Sequence, residues 1–539
     1  MKTIFTTIAI MQFVTILFVV LYTNYANAQA PDIEWQHRIG GFGWNGSYGS
    51  QPTSDGGFIV GGRSNSNASG DKSENSRGEY DYWIVKTDAN GLPVWDKTVG
   101  GASPTSWEQD DFSALAQSSD GGYILCGASD SPLSGDKTEN AIGGGDFWIV
   151  KITSTGTIEW QNVIGGNSSD VPYCIYELPD GNFLVGGYSQ SGVSADKTEP
   201  NRGLQDYWIL KLDPFGNILW QKTVGGAGID LLSSIVISSD GYLLAGSSGS
   251  NVSGDKTENS RGGNDYWIVK LDLAGNIIWQ KTVGGSGYDR LSEAKQTSDG
   301  GYFLAGFSLS PISGEKSEGS RGSYDYWVLK TNSSGEIEWQ RTLGGSGDDS
   351  LFSADLCLDE GFILTGTTTS PISGEVAQGT NGEYDGWVVK LSAEGTILWQ
   401  KTLGGLGSDG FNQVHQVVDG SYFLSGGTNS IISGDITEPP IGQRDYWIVK
   451  LVPDELGNDE LATNSISLWP NPTSGEININ VGQLTEGKIE VFNVVGQLLY
   501  KQDYFTSEVI QQTLPEADGI YFVTVSTFAG QSTFKIIKQ

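Results

Sequence analysis

DYWIVKLDLAGNIIWQKTVGG, residues 265–285, is the phrase that the rest of the chain repeats with small edits. Its opening Asp-x-Trp step stands at Asp81/Trp83, Asp146/Trp148, Asp206/Trp208, Asp265/Trp267, Asp325/Trp327, Asp385/Trp387 and Asp445/Trp447, at successive spacings of 65, 60, 59, 60, 60 and 60 residues. A fixed period of this length marks an internal repeat, not a string of independent domains. The second half, a Trp-bearing run followed by Gly-Gly, also occurs seven times, at Trp35, Trp95, Trp160, Trp220, Trp279, Trp339 and Trp399. The first copy of that half, IEWQHRIGG (33–41), has no first half before it. The last first half, DYWIVKL (445–451), has no second half after it. Each orphan supplies what the other lacks, as in a ring closed by its own two ends.

Each unit reads as four strands. In the copy that begins at Asp289, LSEAKQ (291–296) leads through Ser298-Asp299-Gly300-Gly301, a turn whose glycines permit positive φ, into YFLAGFS (302–308). The polar connection LSPISGEKSEGSRGSY (309–324) precedes DYWVLKT (325–331), and a Ser-Ser-Gly turn gives EIEWQRTL (336–343). Aromatic and β-branched residues fill these runs, and no window carries a helical period. Seven such units predict an all-β, seven-bladed β-propeller over residues 29–452, with Ile33–Ile39 paired to Asp445–Leu451. Two tryptophans per unit are expected to be buried between neighbouring sheets, each worth about 2–3 kcal/mol. The recurring Lys after the W-I-V step (Lys86, Lys151, Lys211, Lys270, Lys330, Lys390, Lys450) is expected to lie on apolar surface and meet a carboxylate or a turn carbonyl.

Composition narrows the functional classes. The 539 residues carry 64 Asp and Glu against 31 Lys and Arg, a formal net charge of −33. No basic stripe interrupts that balance, which excludes nucleic acid as a partner class. Lys2, the apolar run from Ile4 to Tyr22 and Ala26-Asn27-Ala28 read as an export signal (1–28) cleaved before Gln29. The run is also long enough for an uncleaved anchor. No second apolar span follows, so none is expected after cleavage. Cys126, Cys174 and Cys357 each sit in a strand-like run and read as buried apolar side chains, with a Cys126–Cys174 bridge as the alternative.

The repeat, D-x-[WF]-[IV]-x-K through G-x-[IL]-x-W to G-G-x-G-x-D and D-G-[GY]-[YF]-x-L-x-G, resembles the bacterial β-propeller repeat family of exported proteins. Its strand order is similar to that of kelch repeats. The resemblance covers residues 32–452 and implies a fold, not a ligand. Beyond it, residues 453–465 (PDELGNDELATNS) are acidic and without strand signal, and read as a linker. SLWPNPTSGEININV (467–481), KIEVFNVVGQLLYKQ (488–502) and GIYFVTVSTFAGQSTFKIIKQ (519–539) then predict a small β-sandwich over 466–539, immunoglobulin-like in build. The Pro470-Asn471-Pro472-Thr473-Ser474-Gly475 turn, the V-x-G and G-I-Y-x-V-x-V phrases and the Lys-bearing last strand resemble the type A C-terminal sorting domain of the type IX secretion system in Bacteroidota. The resemblance implies passage across the outer membrane, with the secretion machinery as a partner. The KIIKQ ending departs slightly from a more usual Val-Lys terminus.

Three constellations are candidates for chemistry. Asp170, Asp230, Asp289, Asp349 and Asp409 each follow a Gly-Gly pair by four residues, with Asn45 in the first unit. On innermost strands they would ring one channel mouth and hold a cation, or else cap backbone amides as Asx turns. The loop acids Asp71/Glu74, Asp136/Glu139, Asp196/Glu199, Asp255/Glu258, Glu315/Glu318, Glu375/Gln378 and Asp435/Glu438 could hold Ca2+, or else satisfy their own loop through turns and ion pairs. No cofactor is otherwise expected. The third set is aromatic. The loops before the first and third strands share one face, and non-repeating Trp44, Trp107, Tyr288 and Phe411 fall on it, placed to stack on a sugar ring or anchor a protein.

With His37 and His415 the only histidines, and no metal, nucleophile-elbow or phosphate-loop motif, the chain reads as a secreted or cell-surface, non-catalytic propeller that binds a glycan or protein. The alternatives are a carboxylate-dependent glycan hydrolase or lyase and a structural adhesin.

Overall fold

Runs rich in aromatic and β-branched residues are separated by Gly-bearing turns and, between the second and third strands, by a long polar loop, so each unit folds as an antiparallel sheet of four strands buried on both faces at its centre. The computed structural model describes residues 29–102 and 109–454. In the C-terminal segment it describes 467–470, 472–480, 487–493, 497–504, 509–514, 517, 519–527 and 530–538. The expected export signal, Trp107 and the linker from residue 455 onward lie outside the described residues.

Blades 1 to 6 span 45–99, 110–164, 170–224, 230–283, 289–343 and 349–403. Blade 7 takes three strands from 409–451 and its fourth, Ile33–Ile39, from the N-terminal end of the ring. Ile39 stands opposite Tyr446, Arg38 opposite Trp447 and Gln36 opposite Val449. The first strand of each blade is innermost and touches the first strand of the next, with blade 7 returning to blade 1. The ring is therefore closed by a strand from its own N-terminal end, which completes the seventh sheet.

What holds neighbouring blades together is the Asp-x-Trp strand. Trp83, Trp148, Trp208, Trp267, Trp327, Trp387 and Trp447 are all fully buried. The Tyr between Asp and Trp donates its hydroxyl to the Trp carbonyl of the next blade, as in Tyr207 to Trp267 at 3.1 Å, Tyr326 to Trp387 at 3.1 Å and Tyr446 to Trp83 at 2.9 Å. The second tryptophan set departs from expectation. Trp399 is buried, but the other six are half-buried, because the fourth strand is the outer edge of its sheet. Several still bridge blades, since Trp95, Trp160 and Trp339 donate their indole N–H to carbonyls in the following blade's turn. The recurring lysines behave as expected: Lys86 meets Asp55, Lys211 Asp180, Lys330 Asp299 and Lys390 Asp359, all at 3.0 Å or less. The three cysteines are buried and free, so the Cys126–Cys174 bridge does not form.

The C-terminal segment folds separately into a three-stranded sheet (Ser467–Trp469, Glu476–Asn480, Ile510–Thr513) and a four-stranded sheet (Leu498–Tyr504, Gly487–Asn493, Gly519–Thr527, Gly530–Lys538). Ile477 and Ile479 of the first sheet pack with Ile489, Val491, Val523 and Ile536 of the second, the shared core of a sandwich.

Candidate ligand-binding face

The five candidate aspartates do not open onto the channel. Asp170, Asp230, Asp289, Asp349 and Asp409 are wholly buried, and each accepts the N–H of the second glycine of the preceding Gly-Gly pair at 2.7 Å. A serine hydroxyl, such as Ser310 on Asp289 at 3.0 Å, completes the turn. The loop acids are equally committed. Asp71 accepts from Gly40 N–H at 3.0 Å and Glu74 from Thr98 N–H at 3.2 Å, and the same two contacts recur round the ring to Asp435 with Gly404 and Glu438 with Arg38. Among the described residues no group of three or more His, Cys, Asp or Glu stands close enough to hold a metal ion. One oxygen of each of the five aspartates, and of the loop acids just named, is thus engaged by a backbone N–H.

The inner strands of all seven blades line an axial cavity of about 270 Å3. Its polar lining runs from blade to blade. Ser234 donates to Glu293 at 2.9 Å, Lys295 lies 3.7 Å from Glu293 and 3.9 Å from Asp355, and His415 Nδ1 lies 3.4 Å from Asp355. His415 Nε2 meets the Ser50 carbonyl at 2.7 Å, which requires the proton on that nitrogen. Burial raises the carboxyl of Asp355, but His415 and Lys295 outweigh it and hold it below its ordinary range. His37 is closed off in the same way, with Nδ1 on Glu438 at 3.1 Å and Nε2 on the Asn90 carbonyl at 3.0 Å.

At the mouth, four positions in each blade escape the repeat. In the pairing of the first two strands, Gly46 faces Arg63, Arg290 faces Phe307, Ser350 faces Thr367, and Gly410 faces Gly427. The residue before the first strand is Trp44, Tyr288, Asp348 or Ser408, and the residue before the third is Tyr80, Tyr324, Tyr384 or Arg444 in the corresponding blades. Where blade 7 has only glycine, at Gly410 and Gly427, the face opens into a hollow of about 510 Å3 shared with blades 1 and 6. Trp44 and Tyr48 wall it on one side, Phe352 and Tyr384 on the other, with Arg444 between. Trp44 is held from behind by Tyr80, edge-on at 5.7 Å, and by the Arg63 guanidinium at 5.2 Å, which Asp111 anchors. Gly46 gives Trp44 its place, because a methyl there would sit 2.3 Å from the indole.

Of the four aromatic candidates, the structure puts one at this hollow. Trp44 lines it. Tyr288 sits elsewhere on the mouth, against Tyr324 at 6.4 Å. Phe411 is a correction: it is fully buried, stacked on Trp447 at 4.7 Å. It fills the space left in blade 6, where Gly386 replaces the usual Tyr. Trp107 lies outside the described residues. The residues missed from the sequence are Tyr48, Phe352, Tyr384 and Arg444; for Arg444 the signal was a departure from its repeat column, Tyr48 and Phe352 stand in a column that varies from blade to blade, and Tyr384 shares its residue type with Tyr80 and Tyr324.

The C-terminal sandwich settles how the chain travels. Thr473 N–H bonds the Ile537 carbonyl at 2.8 Å, tying the Pro-Asn-Pro-Thr turn to the last strand. Residues 467–539 match the family model described as the secretion system C-terminal sorting domain. This segment is a sorting domain. The sorting domain marks the chain for type IX export, the route of Bacteroidota, to the cell surface or the medium. The chain also matches the regulatory protein FlaEY of Caulobacter vibrioides, 23% identical over 312 residues, covering 52% of this chain and 31% of that protein. An ulvan lyase of Nonlabens ulvanivorans is 22% identical over 204 residues, covering 37% of this chain and 34% of that protein. The chain thus spans about a third of the length of these curated relatives. Solved structures similar to it include a protein of unknown function from Dyadobacter fermentans (TM-score 0.39, 13% identity, 78% of this chain and 99% of that one). Hydrazine synthase of Kuenenia stuttgartiensis gives a TM-score of 0.41 at 10% identity, covering 71% of this chain and 94% of that one.

Proposed function

We propose that the chain is an exported, non-catalytic propeller, residues 29–452, that binds a saccharide in the hollow between blades 1, 6 and 7. In this reading residues 1–28 are a cleaved signal and 453–465 a linker to the sorting domain. The observation that carries it is the aromatic-walled hollow itself. Its 510 Å3 lies in the range of small-ligand sites, whereas a protein partner would ask for a broad, flatter patch. Rings of this kind stack on the apolar face of a sugar, and Asn412, Thr369 and Asp348 around them offer hydrogen bonds to hydroxyls. Both ring nitrogens of His37 and of His415 are engaged, and the repeated aspartates are enclosed in turns, which favours binding over acid–base cleavage. The likeness to an ulvan lyase supports a second reading, cleavage of a glycan in the axial cavity lined by Glu293 and His415.

A glycan array with the secreted protein, followed by calorimetry on Trp44→Ala, separates these readings. Binding should weaken by about 1–3 kcal/mol in the variant while the melting temperature holds. Unchanged binding moves the site elsewhere, and shortened glycan products favour cleavage.

A further inference from the structure

The hollow is lined by one cation, Arg444, and one acid, Asp348, and among the described residues no ion pair joins the two. Acidic residues outnumber basic ones by 64 to 31, and most cations of the ring are matched to a carboxylate. Arg77, Arg202, Arg261 and Arg321, one per blade, reach an acid of the next blade at 2.6–2.9 Å. Arg444 does not. Among the described residues its guanidinium donates to two carbonyls, Ser408 at 3.3 Å and Gly427 at 3.2 Å, and to no carboxylate.

The position is peculiar to this blade. Tyr80, Gly145, Gln205, Asn264, Tyr324 and Tyr384 occupy the same column elsewhere. The group lies flat over Gly427, where a side chain's first carbon would come within 2.7 Å of its Nε. Two departures from the repeat therefore coincide: a glycine pair that removes side chains, and an arginine laid over the space they leave. An arginine carries five N–H donors in a planar fork, so two carbonyl contacts leave donors for a ligand. That fork matches a carboxylate or sulfate in a bidentate way, and the match is stronger in a partly desolvated hollow. The net charge of −33 does not oppose this at contact range, because salt screens it beyond about 8 Å at physiological ionic strength.

We infer that the hollow selects acidic saccharides, with Arg444 taking the carboxylate or sulfate of a sugar whose ring lies against Trp44 and Tyr48. This rests on the saccharide-binding reading above and adds the class of sugar to it.

The test uses the intact secreted protein and matched pairs of probes: galacturonic acid oligomers against their carboxyl-reduced forms, and sulfated galactose oligomers against their desulfated forms. In at least one pair the acidic member should bind about tenfold more tightly by calorimetry. The pair that discriminates tells carboxylate from sulfate. Arg444→Gln should bring the acidic member to the affinity of the neutral one, while Arg444→Lys retains part of the preference. Both variants should melt within a few degrees of the parent. Equal binding of acidic and neutral members, lost in Trp44→Ala, overturns the acid preference and leaves saccharide binding standing. Preference that persists in Arg444→Gln removes the role of Arg444. Failure of every probe, charged and neutral, at this hollow overturns both readings.

Discussion

In four blades a loop lysine, Lys72, Lys197, Lys256 or Lys316, is buried beneath the loops near the aspartate that begins the third strand and donates to a threonine of the fourth, whereas in blade 2 Lys137 donates to Ser129 and the Ser131 carbonyl. Blade 7 reverses the assignment. Ile436 occupies the lysine position, and Arg38 replaces the threonine, bonding Asp445 at 2.8 and 3.1 Å. A buried carboxylate stripped of its cation is destabilising by about 3–5 kcal/mol. Arg38→Thr should therefore lower stability by that order, and Ile436→Lys in the same chain should restore most of it. Denaturant melts of the two variants decide the matter, and no recovery in the double variant would mean that the cation is not interchangeable. Single residues also show where the sequence misled. Phe411 is aromatic and outside the tryptophan pattern, which made it look like an anchor. Yet it stands in the column of Phe112, Leu232, Leu291 and Leu351, all buried. Tyr48, Phe352 and Arg444 could be found only by comparing columns for what fails to repeat.

At the scale of the element, the first strand in the chain is the last of its sheet. Residues 33–39 cover the outer edge of Asp445–Leu451, and Gln36 accepts the Trp447 indole N–H at 3.0 Å. Deleting residues 29–41 leaves that strand paired only to Tyr422–Thr428, with its outer edge bare, and leaves Asp445 without Arg38. Aggregation, or a melting temperature far below the parent's, is the expected result in a thermal scan with light scattering; an unchanged melt would show that the other blades suffice. This closure was legible from the two orphan half-repeats alone. The strands and their order were legible too, since the same four β-rich runs, bounded by the same turn residues, return in every unit. What the repeat could not reveal was how deep each copy of the second tryptophan lies, because that depends on what the next blade's turn covers.

For the whole molecule, acidity and burial combine into a dependence on pH. Burial pushes Asp110, Asp206, Asp265, Asp325 and Asp385 up to about 6, and the neighbouring carboxylates Asp230, Asp289, Asp349 and Asp409 add to this for the last four. Unfolded carboxyls titrate near 3.9, so the folded state holds extra protons between about pH 4 and 6, and stability falls as pH rises through that window. Asp55 and Asp299, held near 2 chiefly by hydrogen bonds that outweigh burial, lose their contribution below about pH 4. Calorimetry should find the highest melting temperature near pH 4, and a steady rise from pH 4 to 7 would contradict it. Export belongs to this scale as well. The secreted chain should begin at Gln29, and a chain lacking residues 466–539 should remain folded in the periplasm. Terminal mass analysis and fractionation check both, and the truncated chain in the medium at parental levels would speak against the sorting role. Ring closure has a last consequence, for the order of events in time. Ile33–Ile39 is among the first segments of the ring to be synthesised, but its partner strand lies some four hundred residues downstream. The first strand must wait, unpaired, while six complete blades assemble behind it. Non-local pairing of this kind is slow, since a long loop must close before any contact rewards it. The interval before closure is then when the chain most needs protection, and the step that ends it is the one that joins the seven blades into one ring.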